Sequence, residues 1–293
     1  MTAHLPLPPD RVVTACDERR DVLLDAIRRA RSRISLSLFR CTDKAIFEAL
    51  SLAAKRGVHI EVLVTLRAKG GKVKLRRLWD RLVATGASVH AYSDPVVKYH
   101  AKYLVVDDGP ALVTSLNFTR KCFTRTCDAI VVTYDPEVVA GLRALMQADR
   151  EGLPLPEALT PRLIVGPEKA RRQFTTIIEQ ATTSIHVIDA KVSDPGVIAL
   201  LNGRRAQGVQ VEILSDKRLG GRKSHGKMMM IDGQQAIVGS LALAALSLDF
   251  RREVALAIEE PSAVAEISRV FRASGSALGS GRPTPAAAGG TSC

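Results

Sequence analysis

Two copies of one short pattern place a histidine, a lysine and an aspartate at the same spacing. The copies are His100, Lys102 and Asp107, and His225, Lys227 and Asp232. The whole chain contains only six histidines. Two of them in equivalent places therefore indicate a shared chemical role rather than chance.

An imidazole beside a fixed cation is suited to a phosphodiester. We expect each pattern to lie on a strand that runs into a turn, where alternation puts its histidine and its lysine on the same face. If the two copies meet about a pseudo-twofold axis, the lysines can neutralise the non-bridging phosphate oxygens. One histidine can then attack phosphorus while the other protonates the leaving oxygen. The pattern predicts one shared site, with both imidazoles within reach of one phosphorus.

The segments around the two copies repeat as well. A block of helix, strand, helix and strand recurs with an offset of 151 residues, as Ile34 and Ile185 illustrate. In both copies the second helix follows a capping aspartate and ends at a glycine, namely Asp43 with Gly57 and Asp194 with Gly208. The block that contains the histidine recurs with an offset of only 125 residues. The first half therefore has 26 additional residues, within 66–93, where we expect a helix near 75–85 and a strand at 89–92.

Strands that alternate with helices favour a mixed sheet with helices packed on it. We predict an α/β fold of two pseudo-symmetric α/β/α lobes with mixed sheets. The first lobe spans residues 1–158 and the second spans residues 159–273, with a seam rich in proline and glycine between them. Residues 274–293 contain too few large apolar side chains to pack, so we predict a disordered tail.

Composition is that of a globular protein. Of 293 residues, 46% are hydrophobic and 25% are charged, and the net charge of +12 favours an anionic partner. The longest nearly apolar run, residues 236–248, is shorter than the roughly 20 residues of a membrane-spanning helix. With no signal-peptide pattern, we expect a cytoplasmic location. The five cysteines are typical of reduced thiols, and we do not expect zinc at Cys122 and Cys127.

The doubled H-x-K-x4-D pattern resembles the paired signatures of the phospholipase D superfamily. Small polar residues follow each copy, at 114–119 and 239–240, and the resemblance covers about residues 20–272. It implies two lobes that share one active site, a covalent phosphohistidine intermediate, and no metal or cofactor. The superfamily includes phospholipases D, cardiolipin and phosphatidylserine synthases, and nucleases.

The resemblance also implies roles for individual residues. His100 and His225 match the catalytic histidines, Lys102 and Lys227 the phosphate-binding lysines, and Asp107 and Asp232 the supporting aspartates. Further matches are Ser115 and Ser240, which follow each motif, Asn117, which contacts phosphate, and Glu253 with its counterpart Asp128, which orient a histidine.

This chain departs from the pattern at three positions: Ala242 replaces the second asparagine, Thr114 replaces a glycine, and Asp128 is shorter than glutamate. The halves are therefore chemically unequal. We expect His100 to be the nucleophile, because its half keeps Asn117, and Glu253 to hold His225.

Three functions remain open from the sequence. The first is a phospholipase D-like phosphodiesterase or transphosphatidylase that hydrolyses or exchanges phospholipid head groups. The second is a metal-independent endonuclease, and the third is a catalytically silent binding module, which the intact histidine–lysine pairs argue against. The 4% aromatic content offers few stacking platforms for single strands. Resemblance to the bacterial phospholipase D and cardiolipin synthase group favours the lipid substrate.

Partners follow from the same observations. We expect a monomer, since both motifs are in one chain, with possible peripheral contact to an acidic membrane. The basic run at residues 67–77 is either a solvated face or a patch for phosphates or anionic lipid. Its glycines do not form a nucleotide-binding loop.

Residues 228–230, three methionines, are expected to fill the core rather than contact lipid.

Overall fold

The computed structural model describes residues 7–67, 71–215, 218–219 and 222–275. The helices are α1 Glu18–Arg29, α2 Lys44–Lys55, α3 Lys72–Val83, α4 Arg120–Thr124, α5 Pro136–Glu151, α6 Ala170–Gln180, α7 Pro195–Ala206, α8 Ala245–Phe250 and α9 Pro261–Gly275. The strands of the first half are β1 Arg11–Val13, β2 Arg33–Ser37, β3 His59–Thr65, β4 Ser88–Tyr92, β5 Lys98–Tyr99, β6 Tyr103–Val106, β7 Ala111–Thr114, β8 Thr126–Cys127 and β9 Ile130–Thr133. Those of the second half are β10 Leu163–Gly166, β11 Ser184–Ile188, β12 Gln210–Leu214, β13 Arg218–Leu219, β14 Arg222–Ser224, β15 Met228–Ile231, β16 Gln235–Gly239 and β17 Arg251–Ile258.

Each half builds one large mixed sheet with the same strand order. The first sheet runs β1-β9-β7-β6-β2-β3-β4, and the second runs β10-β17-β16-β15-β11-β12. Strand for strand the two orders correspond, apart from β4, which has no partner in the second. The predicted fold class, two pseudo-symmetric α/β lobes with mixed sheets, is confirmed.

Local signals explain where the repeated helices begin and end. The Asp43 carboxylate accepts hydrogen bonds from the backbone N–H groups of Ala45 and Ile46 at the start of α2. Asp194 caps α7 through Val197 in the same way. Both helices stop at a glycine with positive φ, 86° at Gly57 and 92° at Gly208, as predicted.

The additional residues of the first half form α3 and the edge strand β4. The expected helix and strand are therefore confirmed, although α3 begins three residues earlier than its apolar periodicity indicated. Parallel pairing of β3 with β4 extends the first sheet by one strand. Residues 68–70 of the basic run lie outside the described residues.

Three apolar clusters hold the layers together. One joins α1, α2 and α3 to the outer face of the first sheet, and another joins α6 and α7 to the outer face of the second. The third lies between the sheets and includes side chains from both halves, such as Leu142 of α5 and Ile267 of α9. Met228, Met229 and Met230 are all buried, so they fill the core as predicted.

The strands β1 and β10 were not predicted from the sequence. Each has three or four residues and is held only by antiparallel pairing to a distant strand, β9 or β17. So short a strand has no alternation of its own to detect. Helix α9 continues to Gly275, and the rest of the predicted tail lies outside the described residues. Within the described ranges, no helix is both long and apolar enough to cross a bilayer.

Candidate active site

The two histidines lie where the chain passes from one sheet to another. His100 and Lys102 fall in the link between β5 and β6, and His225 and Lys227 fall in the link between β14 and β15. The expectation that each histidine–lysine pair lies on one continuous strand is therefore wrong. The strand breaks because β5 pairs with the opposite lobe whereas β6 pairs within its own.

Two short parallel pairings cross between the lobes and bring each histidine to a carboxylate. Strand β5 pairs with β17, so that Tyr99 lies opposite Arg252 and the next residues are His100 and Glu253. Strand β14 pairs with β8, so that Ser224 lies opposite Cys127 and the next residues are His225 and Asp128. Backbone hydrogen bonds continue both pairings, from His100 N to Arg252 O (2.9 Å) and from Gly226 N to Cys127 O (2.7 Å).

His100 is held by Glu253 of the second lobe. Nδ1 of His100 hydrogen-bonds Oε1 of the fully buried Glu253. Burial alone would raise the pKa of Glu253, but the hydrogen bond from His100, the charge of Lys102 and the hydrogen bond from Ser247 lower it. Burial and the nearby Lys102 lower the pKa of His100 to about 3, despite Glu253. The prediction that Glu253 holds His225 is wrong, because β5 pairs with β17.

His225 is held by Asp128 of the first lobe. Its Nδ1 lies 3.0 Å and 3.1 Å from the two carboxylate oxygens of Asp128. Burial opposes ionisation of Asp128, but hydrogen bonds from His225, Thr126 and Ser115 keep its pKa below the ordinary value. The shorter carboxylate of the first half therefore does for His225 what Glu253 does for His100.

Each lysine donates a hydrogen bond to the backbone carbonyl of its own histidine. Lys102 is 1% exposed, and its Nζ is 2.7 Å from His100 O and 3.1 Å from both ring nitrogens of His100. Lys227 is partly exposed, and its Nζ donates to His225 O at 2.8 Å. Burial lowers the pKa of Lys102 to about 7, although Glu253 opposes this. The charge of Lys227, in the other lobe, also contributes to lowering the pKa of His100.

The motif aspartates do not lie with the histidines. Asp107 and Asp232 sit at the far ends of β6 and β15, with positive φ of 43° and 52°. Asp107 accepts hydrogen bonds from the backbone N–H groups of Arg31, Ser32 and Arg33, which lower its pKa to about 2 against the effect of burial. Asp232 does the same for the turn at residues 182–184. Their role is to fix the turns before β2 and β11, away from the chemistry.

The hydroxyls after the two motifs have different partners. Ser115 donates to Asp128 Oδ1 at 2.7 Å, whereas Ser240 contacts only the backbone of Val254. In the second lobe the hydroxyl on the carboxylate comes from Ser247 of α8, which donates to Glu253. Sequence comparison of the halves missed Ser247, because it lies outside the repeated pattern.

Asn117 and Ala242 make the two halves unequal. Asn117 is partly buried, and its Oδ1 has no hydrogen-bond partner among the described residues. Ala242 is buried and uses its backbone N–H to donate to Ser247 Oγ at 2.8 Å. Only the first half thus offers a side-chain amide at this position.

Two buried arginines hold the crossing strands. Arg252 contacts Asp149 of α5 (2.8 Å), Glu168 (2.6 Å) and the carbonyl of Gly166 (2.8 Å), one residue before Glu253. Arg19 of α1 donates to Thr126 O at 2.7 Å, two residues before Asp128. Neither was identified from the sequence, since an arginine in a helix or strand ordinarily faces solvent.

One group of side chains within the described ranges has the composition of a metal site. Ligand atoms of Cys122, Asp128 and His225 all lie within 4.8 Å of one another. The sequence pointed away from a metal at Cys122, because no histidine lies near it in the chain and His225 is 97 positions from Asp128. Asp128 and His225 already satisfy each other by hydrogen bonding, so their pairing does not need an ion.

Known proteins resemble the first half in sequence. The family model described as "Cardiolipin synthase, PLD-like domain" matches residues 23–150, which include His100, Lys102 and Asp128. Cardiolipin synthase A of Pseudomonas aeruginosa is 28% identical over 127 residues, covering 43% of this chain and 26% of that protein. Residues 23–150 are therefore similar to the phospholipase D-like family. The chain spans about a quarter of the length of this curated relative.

Solved structures extend the likeness to both lobes. Polyphosphate kinase from Porphyromonas gingivalis covers 90% of this chain with a TM-score of 0.74 and 21% identity, over 46% of its own length. Phosphatidylserine synthase from Haemophilus influenzae covers 92% of this chain with a TM-score of 0.66 and 12% identity, over 88% of its own length. At these identities the likeness shows the fold alone. The phospholipase D-like fold therefore spans the two halves.

Proposed function

We propose that this chain is a phosphodiesterase or transphosphatidylase of the phospholipase D type, acting on phospholipid head groups through a phosphohistidine. One observation carries the proposal: each lobe supplies the carboxylate that holds the other lobe's histidine, and a lysine donates to the backbone carbonyl of each histidine. Both lobes are needed to build either pair, so we also propose that one chain forms one site.

In the first step His100 attacks phosphorus. Because Glu253 is ionised and can only accept, Nδ1 of His100 carries the proton and Nε2 keeps its lone pair. Nε2 forms the N–P bond while the P–O bond to the leaving group breaks. His225, held by Asp128, donates its Nε2 proton to the departing oxygen. Lys102 and Lys227 neutralise the non-bridging oxygens.

In the second step the phosphohistidine is released. His225, now neutral, takes a proton from water or from an alcohol. The resulting oxygen attacks phosphorus, the N–P bond breaks, and His100 returns to its starting state. Water gives hydrolysis, whereas an alcohol gives exchange of the head group, and the same residues serve both outcomes.

The nucleophile is assigned to His100 because of its surroundings. Its imidazole is 20% exposed, against 33% for His225, and its lowered pKa keeps the ring neutral at physiological pH. A neutral ring is the attacking form. His225 is more open to the water and leaving-group oxygens with which it must exchange protons.

The lipid substrate is supported by the names of two similar proteins, a cardiolipin synthase and a phosphatidylserine synthase. To test it, the purified chain is given labelled phosphatidylcholine, phosphatidylglycerol and plasmid DNA in parallel, with and without EDTA. We expect release or exchange of a phospholipid head group, at a rate that EDTA does not reduce. Cleavage of DNA with no turnover of either lipid would instead make the chain an endonuclease.

A further inference from the structure

The edge of the two sheets that carries the site is rich in unpaired cations. The loops that follow the carboxyl ends of β2, β4 and β11 lie at this edge, which we call the site edge. Six exposed cations from six separate segments there form no ion pair among the described residues: Arg40, Lys44, Lys98, Lys121, Lys191 and Lys223. Lys44 lies in the first turn of α2, where the helix dipole disfavours a cation.

Acidic side chains at the site edge are already engaged. Asp94 accepts from the backbone N–H groups of Val96 and Val97, at 2.8 Å and 2.7 Å. Asp249 pairs with Arg171, and Glu168 pairs with Arg252. Asp249 and Glu168 are therefore already neutralised by arginines, so an external anion can bind the unpaired cations around the site.

Exposed apolar side chains lie among these cations. Phe250 is 49% exposed, Leu246 is 43% exposed and Val96 is 65% exposed. Leu246 and Phe250 are four residues apart on α8, hence on one side of that helix. Phe250 adjoins Arg251, which pairs with Lys98 of β5, and Val96 is two residues before Lys98. The loop at 94–95 is tied to Arg67, whose Nη2 donates to Pro95 O at 2.7 Å.

We propose that the site edge docks on an anionic bilayer, with Phe250, Leu246 and Val96 entering the head-group region and the unpaired cations contacting lipid phosphates. This deepens the proposed function and rests on it, since the docked face brings the phosphodiester to His100 and His225. A nucleic acid backbone would match the cations equally. It would leave the three apolar side chains in water, whereas a bilayer buries them.

Vesicle co-sedimentation with the full chain tests the proposal. Vesicles of phosphatidylcholine, with and without phosphatidylglycerol, are offered to the native protein and to a double variant, Leu246→Ser with Phe250→Ser. The matched control is Leu52→Ser with Val83→Ser. These two side chains are similarly exposed, at 56% and 50%, and lie near the C-terminal ends of α2 and α3. A charge variant, Lys98→Gln with Lys191→Gln, is independent of α8. Melting curves establish that each variant is folded.

We expect the native chain to bind vesicles containing phosphatidylglycerol about tenfold or more tightly than neutral ones. The α8 variant should lose about tenfold in binding, and the charge variant, which removes two of the six unpaired cations, should lose about a third of the salt dependence. The control should bind like the native chain. Equal binding by the native chain, the α8 variant and the charge variant would overturn the proposal. So would binding of duplex DNA, unaffected by the α8 change, without binding of vesicles.

This outcome is separable from failure of the proposed function. A chain that docks on vesicles as described but turns over no phospholipid would contradict the proposed substrate alone. A chain that turns over phospholipid dispersed in detergent, yet binds vesicles independently of α8 and of the two lysines, would contradict the docking surface alone.

Discussion

At each histidine, the group that fixes the position of the ring proton comes from the other half of the chain. Glu253 and Asp128 are both fully buried, and each faces an Nδ1 atom. An ionised carboxylate accepts hydrogen bonds but cannot donate one, so each Nδ1 keeps its proton. The two histidines differ in their lysines, because the lysine that contacts His100, Lys102, is buried whereas Lys227 is partly exposed.

Lys102 gives the reaction a predicted alkaline limit. Its pKa of about 7 means that it loses its charge as pH rises through that value, which weakens binding of an anionic phosphodiester. We expect kcat/KM to fall above about pH 7, and the fall to be absent in Lys102→Arg, because arginine stays charged. The check is a pH profile of kcat/KM with Lys227→Arg as control, which should keep the alkaline limb. A native profile that is flat up to pH 9 would contradict this role.

Ser247 is predicted to position Glu253. Its hydroxyl donates to the carboxylate and thereby lowers the pKa of Glu253. Ser247→Ala should cost about tenfold in kcat/KM, about the worth of one hydrogen bond to a charged group. It should also move the acid limb of the pH profile to higher pH, since Glu253 would then protonate more readily. Ser240→Ala, which removes a hydroxyl bonded to backbone, should leave that limb in place. Identical pH profiles for both variants would show that Ser247 is merely structural.

Among the helices and strands, the short strands β5 and β14 do most to determine how the site is assembled. Each pairs across the lobes over only two residues, yet the register of that pairing determines which carboxylate meets which histidine. Gly226 is required at one crossing, because a Cβ there would lie 2.2 Å from the carbonyl oxygen of Cys127. At the other crossing the equivalent residue is Ala101, so the two crossings are not sterically equal.

The helices and most of the strands could be predicted because their signals are local. The amino-acid sequence itself contains the capping aspartate before α2, the glycine after it and the changed offset between the repeats. The crossing could not be predicted in this way. Aligning the halves makes Asp128 equivalent to Glu253, but it does not reveal whether a histidine meets the carboxylate of its own half or of the other. That is decided by the pairing of β5 with β17, which involves residues more than 150 positions apart.

Arg252 is predicted to stabilise the crossing at β17. It is buried with Asp149, and burial already raises the pKa of Asp149 to about 7. Arg252→Ala would leave that carboxyl without its cation and should lower the free energy of unfolding by about 3–5 kcal/mol. Denaturant titration at pH 8, where an unpaired Asp149 is most costly, measures the loss. The adjacent Arg251→Ala, at a more exposed position, should cost less than about 1 kcal/mol. Equal losses for both variants would contradict the assignment.

At the scale of the whole molecule, the two lobes share an apolar core. The apolar cluster between the sheets draws Leu142 and Val113 from one half and Ile267 and Val238 from the other. Burial of so many apolar groups holds the halves in one relative position. A fixed position is needed for in-line displacement, in which two groups must approach one phosphorus within a few tenths of an ångström. The packing between the lobes thus serves the chemistry directly.

The turnover of single-histidine variants tests the shared site most directly. His100→Ala, His225→Ala and the double variant are assayed with a soluble chromogenic phosphodiester, alongside the native chain at equal folded concentration. If one site uses both rings, each single variant should lose about a thousandfold or more in kcat, and the double variant should be no worse. Retention of about half of the native activity by either single variant would mean that each lobe has a site of its own, and would contradict the shared site.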